Sequence, residues 1–362
     1  MEDMHLNSHI SYDNPYADTM NMKFVRKLPI PRDVKQEYPV PDALREIRRR
    51  NIKEIRDVLS GKSDKLLMII GPCSADREDA VLEYLSRLRT VQDQTADKLV
   101  IVPRIYTNKP RTTGDGYKGM LHQPDPSGRP DVFRGILMIR DLHMRALTET
   151  GFSCADEMLY PENHRYLDDL LAYVSVGARS VEDQQHRLTA SGLEIPVGMK
   201  NPPSGDLQVM LNAIHAAQTK HTFIYRGWAV HSAGNPLAHA ILRGYLDPQR
   251  RSVPNYHKAD LQNLAERYAA AGLENPALLI DANHANSDKD PFRQPEIIRD
   301  VLKSCAASPE LRRLVKGFMV ESYIEDGCQS VGGTTWGQSI TDPCLGWEKT
   351  RRLICELAES VN

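Results

Sequence analysis

From about residue 66 onward, short apolar runs alternate with longer stretches in which apolar residues return every three to four positions. The short runs, rich in Val, Ile, Leu and Met, lie at 66–73, 99–106, 152–158, 173–179, 195–200, 222–227, 239–244, 277–284 and 316–322, and each has the length and composition of a strand. Intervening stretches such as FRGILMIRDLHMRALTET and DLQNLAERYAAAG carry the period of a helix packed by one face. This alternation predicts a parallel sheet with crossover helices. Nine candidate strands are one too many for an eight-membered barrel. The run at 239–244 follows that at 222–227 through the turn-like WAVHSAGNPLA, so 222–227 is expected to be strand six and 239–244 a hairpin-like insertion after it. Eight strand–helix units then predict a (β/α)8 TIM barrel over residues 63–362. The chain has no G-x-G-x-x-G and no Walker-type loop, which argues against a doubly wound nucleotide-binding sheet.

Residues 1–62 read as an N-terminal extension. The first 40 are polar and broken by Pro15, Pro29, Pro31 and Pro39, an arm expected to have no core of its own. In DALREIRRRNIKEIRDVLSGK, Leu44, Ile47, Ile55 and Val58 share one helical face that Ile52 and Leu59 widen, and Gly61 sits where a helix stops. Arg48 to Arg50 are expected on its solvated face.

Composition narrows the function. With 41% hydrophobic and 26% charged residues and a formal net charge of −2, the chain lacks the basic balance of a nucleic-acid or membrane-surface binder, and small-molecule chemistry is favoured. The acidic, polar N-terminus and the lack of a long apolar stretch predict a cytoplasmic protein. The six cysteines form no C-x-x-C pair, so any metal site must draw its ligands from scattered positions.

A barrel does its chemistry at the C-terminal ends of its strands. Those positions here are Cys73, Arg104, Glu157, Arg179, Lys200, Arg243, His284 and Glu321, all ionisable. An arginine after a strand is usually only a solvated residue, and a lone histidine is usually only a packed one. Eight such ends together imply a charged ligand. Arg104, Arg179, Lys200 and Arg243 suit phosphate and carboxylate, and Lys109, Arg111 and Thr112 in NKPRTTGDGYKG form a second cationic cluster, so two anionic groups or substrates are expected. Cys73, His284 and Glu321, with Asp342 close behind strand eight, are donors suited to a divalent transition metal. A Cys73–His284 dyad with an attacking thiolate is the competing reading.

Several of these segments occur together in one known family. GPCS (71–74), KPRTT (109–113), GARS (177–180) with EDQQHR (182–187), VGMKN (197–201), ILRG (241–244), DANHANS (281–287), MVES (319–322) and SITDPCLGWE (339–348) resemble, in order, the type I 3-deoxy-D-arabino-heptulosonate 7-phosphate (DAHP) synthases. The resemblance implies a barrel enzyme that condenses phosphoenolpyruvate with D-erythrose 4-phosphate, the first step of the shikimate pathway. It implies that Cys73, His284, Glu321 and Asp342 hold a divalent metal, Mn2+, Fe2+, Co2+ or Zn2+, which acts as a Lewis acid on the aldehyde. It further implies that Arg104, Arg179, Lys200, Arg243 and the Gly177–Ala178 backbone bind phosphoenolpyruvate beside Glu157, while Lys109, Pro110, Arg111 and Thr112 receive the sugar phosphate. Lys200 and Glu157 are the candidates for proton and water handling, and Asp342 borders the substrates. A homodimer or homotetramer is expected, with an aromatic amino-acid effector left open.

The chain departs from the enteric pattern. Ala75, Asp76 and Arg77 follow GPCS where a histidine is usual two residues on, PPSGD (202–206) replaces a glycine-rich stretch, and Thr189 and Glu194 stand in the region of the effector pocket. The alternatives are a sister synthase acting on arabinose 5-phosphate, against which KPRTT argues, and a catalytically weak regulatory barrel.

Overall fold

The computed structural model describes residues 21–361. Its centre is a sheet of eight parallel strands: β1 (Leu66–Gly71), β2 (Leu99–Pro103), β3 (Ala155–Glu157), β4 (Tyr173–Val176), β5 (Val197–Lys200), β6 (Ala238–Leu242), β7 (Leu278–Asp281) and β8 (Val315–Glu321). Each lies beside its neighbour in sequence, and β8 returns to β1 with Phe318 opposite Met68. Between β2 and β3 the ladder narrows to one bridge, Arg104 to Ala155, where the Ile105 amide donates to the Ala155 carbonyl at 2.9 Å and closes the barrel.

The strands read as unbroken apolar runs because both of their faces are buried. Their alternation is nonetheless real. Leu67 and Ile69 of β1, Val100 and Val102 of β2, Leu279 of β7 and Met319 of β8 meet inside the barrel. Met68, Ile70, Ile101, Ile280 and Val320 point outward to the helix layer, which includes α3 (Glu78–Thr95) and α4 (Val132–Thr150) among the crossovers.

The N-terminal extension is better packed than its composition predicts. Its arm contains α1 (Pro31–Glu37), and Val34 and Val40 are buried in the outer core, which corrects the expectation of a segment without one; residues 1–20 lie outside the described residues. The predicted helix is α2 (Asp42–Leu59), followed by Gly61 at φ +72°. Ile55, Val58 and Leu59 join the inner cluster beside Leu67 and Val100, so α2 floors the barrel. Arg49 and Arg50 are exposed, but Arg48 donates to the carbonyls of Leu171 at 2.9 Å and Asp168 at 2.8 Å, so it fastens the floor instead of facing solvent.

The sixth and seventh apolar runs exchange the roles expected of them. Thr222–Tyr225 pairs antiparallel with Trp228–His231 through Arg226 and Gly227, both at positive φ, and among the described residues joins no other strand. Ile224 and Trp228 are largely exposed on it, so the run could not serve as a barrel strand. The sixth barrel strand is Ala238–Leu242, and this hairpin precedes it. A shorter pair, Tyr245–Leu246 with Ser252–Val253, follows β6.

Candidate active site

Continuing the inward register of each strand toward its C-terminal end gives a second layer of opposite chemistry. Leu67, Ile69 and Gly71 lead to Cys73, and Val100 and Val102 lead to Arg104. Ala155 leads to Glu157, Gly198 to Lys200, Ile241 to Arg243, Leu279 to Asp281 and Met319 to Glu321. Arg104, Lys200, Glu157, Asp281 and Glu321 are all buried there.

One half of this layer gathers metal-type donors. The Cys73 sulfur and carboxylate oxygens of Glu321 and Asp342 lie within 4.8 Å of one another. Lys109 reaches in among them, its Nζ 3.1 Å from Asp342 Oδ2 and donating to Cys73 Sγ, while Lys289 holds the other Asp342 oxygen at 2.8 Å. Burial opposes the Asp342 carboxylate, but Lys109 and Lys289 hold it well below the usual range. Burial also opposes the Glu321 carboxylate, which Arg104 at 3.1 Å keeps ionised, and Asn283 donates to its Oε2. Its Oε1 is buried and is the oxygen paired with Arg104, an approach not aligned as a hydrogen bond. His284 stands at the edge of the group, with Nε2 3.9 Å from that oxygen and Nδ1 2.9 Å from Asp281. Its backbone is left-handed, φ +51°, as are Asp288 and Lys289 just beyond, so the loop after β7 is strained where it carries these groups.

This geometry separates the two readings of Cys73. Among the described residues its side chain bonds to Asp342 and Lys109, not to His284, so no Cys–His dyad is assembled. Burial first, then Glu321, pushes the thiol up to about 12. A sulfur and two carboxylates within 4.8 Å of one another, with an imidazole at their edge, fit a divalent transition metal.

The other half gathers cations. Lys200 Nζ lies 3.4 Å from Asp281 and 4.0 Å from Glu157. Burial works against its ammonium, but Tyr106, Asp281 and Glu157 outweigh that and hold it charged. The Arg104 guanidinium lies 3.8 Å from the centre of the Tyr106 ring. Gly177 follows β4 directly against Glu157: a Cβ there would come 2.3 Å from Glu157 Oε1 and displace that carboxylate. Arg243 has its guanidinium depressed by burial, and the nearby Arg179 pushes it the same way, as expected of cations gathered for an anion. Arg179 is exposed and donates to Thr112 Oγ1 at 2.8 Å.

The loop after β2 does not form one cluster. Lys109 turns inward to the donors, Arg111 donates to the Tyr117 carbonyl at 2.8 Å, Thr112 joins Arg179, and Pro110 lies half-buried between them. EDQQHR has a local role: Asp183 caps the helix Gln184–Ser191 by accepting from the His186 amide, and the His186 ring reaches the Met158 and Leu159 carbonyls just past Glu157.

Two residues escaped the sequence reading. β7 ends at Asp281, three residues before His284, which opens the short helix His284–Ser287. Asp281 was legible as the residue two beyond Leu279 in the inward register. Lys289 was not, because only the left-handed turn brings it back to Asp342.

Known proteins share both the sequence and the fold of this chain. The model of the DAHP synthetase I family matches residues 39–354. The chain is 36% identical over 345 residues to the Tyr-sensitive phospho-2-dehydro-3-deoxyheptonate aldolase of Escherichia coli K12, covering 93% of this chain and 91% of that one. It is 36% identical over 354 residues to the Trp-sensitive enzyme of Enterobacter agglomerans, covering 96% and 98%. Among solved structures, the phospho-2-dehydro-3-deoxyheptonate aldolase of Francisella tularensis superposes with a TM-score of 0.87 at 31% identity, covering 94% of this chain and 98% of that one.

Proposed function

The chain belongs to the DAHP synthetase I family, and from that premise we propose that it condenses phosphoenolpyruvate with D-erythrose 4-phosphate and water to give 3-deoxy-D-arabino-heptulosonate 7-phosphate and phosphate. The observation that carries this reading is the division of the barrel mouth into a donor cluster around Cys73 and a cation cluster around Lys200.

In this reading Arg104, Arg179, Lys200 and Arg243, with the Gly177–Ala178 backbone, bind the phosphate and carboxylate of phosphoenolpyruvate. The anion relieves the repulsion among them. Glu157, 4.0 Å from Lys200, stands beside the reacting carbons, and this pair manages the water that captures carbon two and its protons. Lys109 bridges the two halves, and with Pro110, Arg111 and Thr112 it orients the sugar phosphate. Cys73, His284, Glu321 and Asp342 would hold a divalent ion, Mn2+, Fe2+, Co2+ or Zn2+, which when bound polarises the aldehyde oxygen. Aligning two substrates in one mouth contributes on the order of several kcal/mol to lowering the barrier.

The names of the relatives support an aromatic amino acid as effector. Residues 1–62 are the segment assigned to subunit contacts in a homodimer or homotetramer, residues 63–362 form the catalytic barrel, and the cytoplasm is the expected compartment. Among the described residues no helix is long and apolar enough to cross a membrane.

The test is phosphate release from phosphoenolpyruvate with Mn2+, run with erythrose 4-phosphate, with arabinose 5-phosphate and with neither. Release is expected only with erythrose 4-phosphate. Equal or faster turnover with arabinose 5-phosphate overturns the assignment.

A further inference from the structure

The two halves of the mouth meet at one carboxylate that neither reading of the sequence used. Asp281 is fully buried at the end of β7, and each of its oxygens has a distinct environment. Oδ1 accepts from the Asn283 amide at 3.1 Å, which fixes the side-chain rotamer. Oδ2 lies 2.9 Å from His284 Nδ1 and 3.4 Å from Lys200 Nζ, at ion-pair distance from both though neither approach is aligned as a hydrogen bond, between a ring of the donor cluster and an ammonium of the cation cluster. The backbone around it is secured as well, since Asn286 donates to the Asp281 carbonyl at 2.8 Å. His284 keeps its left-handed backbone while its ring folds back over Asp281, so the strained residue and its anchor are three positions apart.

We propose that Asp281 is the positioning residue of this site, holding the proton of His284 on Nδ1 so that Nε2 faces Glu321 with its lone pair, and holding the Lys200 ammonium at a set distance from that ring. An imidazole that ligates through one nitrogen has its orientation and tautomer set by what the other nitrogen donates to, and a carboxylate is a strong acceptor for that role. Lys200 binds the same oxygen, so ring and ammonium move together. Asp281 touches neither substrate in this account; it acts through His284 and Lys200, and the inference rests on the metal-assisted reading proposed above.

Asp281→Asn is the informative variant, because it keeps the shape of the side chain while removing the charge and offering an amide N–H that favours the wrong tautomer. The apparent Kd for Mn2+, measured by competition with a chromogenic chelator in the absence of both substrates, is expected to rise about 10–100-fold. Phosphoenolpyruvate binding to the metal-free protein, followed by tryptophan fluorescence or calorimetry, is expected to be no weaker than in the wild type. Removing a buried negative charge leaves the cations less neutralised. With saturating Mn2+, kcat should fall while KM for phosphoenolpyruvate does not rise. Unchanged Mn2+ affinity, or equal weakening of Mn2+ and phosphoenolpyruvate binding, overturns the proposal, the second outcome marking a general collapse of the mouth. A measurement on the unmutated protein is independent of the variant's folding: nitrogen-15 NMR of histidine-labelled, metal-free enzyme should show His284 Nδ1 protonated, and a bare Nδ1 overturns the proposal. Wild-type protein that binds no Mn2+ overturns the metal reading and this inference with it. Wild-type binding matched by Asp281→Asn overturns this inference alone.

Discussion

At the floor of the barrel, Ile55, Val58 and Leu59 of α2 meet Leu67 and Val100; at its mouth, the same inward register presents Arg104, Glu157, Asp281 and Glu321. Both layers are buried, and both sit on the same strands. Their energetics run in opposite directions. Each aliphatic side chain enclosed at the floor stabilises the fold by about 1.5–3 kcal/mol. At the mouth, desolvating a pair such as Arg104 and Glu321, each 1% exposed and 3.1 Å apart, costs about as much as their attraction returns. The left-handed backbone at His284 costs about 1–3 kcal/mol more. The floor therefore holds the strands in a register that lets the mouth keep charges in an arrangement that contributes little to its own stability.

The comparison breaks most visibly where the mouth loses a donor. Cys73→Ala is expected to lower turnover by about a thousandfold or more, equivalent to about 4 kcal/mol, and to abolish retention of a divalent ion in the same step. Its unfolding free energy should change by only about 1 kcal/mol. Turnover and metal content measured on one preparation decide the matter. An inactive variant that still retains the ion would return the cysteine to a nucleophilic role.

The converse change is Leu67→Ala at the floor. Deleting this fully buried side chain should cost about 2–5 kcal/mol in urea unfolding. KM for phosphoenolpyruvate in the folded fraction should stay at its original value. A raised KM would show that the floor reaches the mouth through the strands, and that the two layers are not separable.

How much of this was legible in the sequence follows the same division. Unbroken runs such as LLMII and LLID announce strands buried on both faces, and of the eight residues read off their ends Cys73, Arg104, Glu157, Lys200, Arg243 and Glu321 continue the inward register. The alternation fails where the chain leaves the strand. His284 is the chemically conspicuous residue at the end of the run 277–284, whereas the ladder stops at Asp281. Likewise 222–227 has the apolar content of a barrel strand but pairs only with its own hairpin partner, and composition does not encode what a strand pairs with. Lys109 parted from Arg111 and Thr112 for a related reason: a loop sends adjacent residues in directions that spacing cannot specify.

Acidity sharpens the comparison through His239, on the inward register below Arg243. Its Nε2 lies 2.9 Å from the Tyr173 hydroxyl, and burial pushes it from 6.5 down to about 4. The folded protein keeps this ring neutral down to about pH 4, while the unfolded chain takes a proton as the pH falls through 6.5. The contribution to stability is therefore complete above 6.5 and drains away between 6.5 and about 4, at up to about 1.4 kcal/mol per pH unit. Asp156, held up to about 7 chiefly by burial, acts with the opposite sign across this whole window, but equally in wild type and variant. His239→Gln should flatten the acid limb of stability against pH by one proton without altering KM at neutral pH. Parallel curves for the two proteins would contradict a neutral, buried His239.

The smallest difference between the layers is the one made by a single methyl group. A Cβ on Gly198, midway up the barrel, would stand 2.1 Å from the Tyr173 hydroxyl and 2.4 Å from Ile241 Cδ1, both fixed by packing on every side. A Cβ on Gly177, at the mouth, would stand 2.3 Å from Glu157 Oε1, the free end of a side chain with rotatable bonds. Gly198→Ala should therefore cost about 1–3 kcal/mol of stability and leave KM alone. Gly177→Ala should cost less than about 1 kcal/mol, because Glu157 can turn aside. Turning aside moves the carboxylate away from Lys200, so KM for phosphoenolpyruvate should rise by about tenfold, equivalent to about 1.4 kcal/mol. Unfolding curves and initial rates on the two variants read these effects independently. Equal losses of stability would mean that the mouth is packed as rigidly as the interior beneath it, and that Glu157 is held by more than its distance to one lysine.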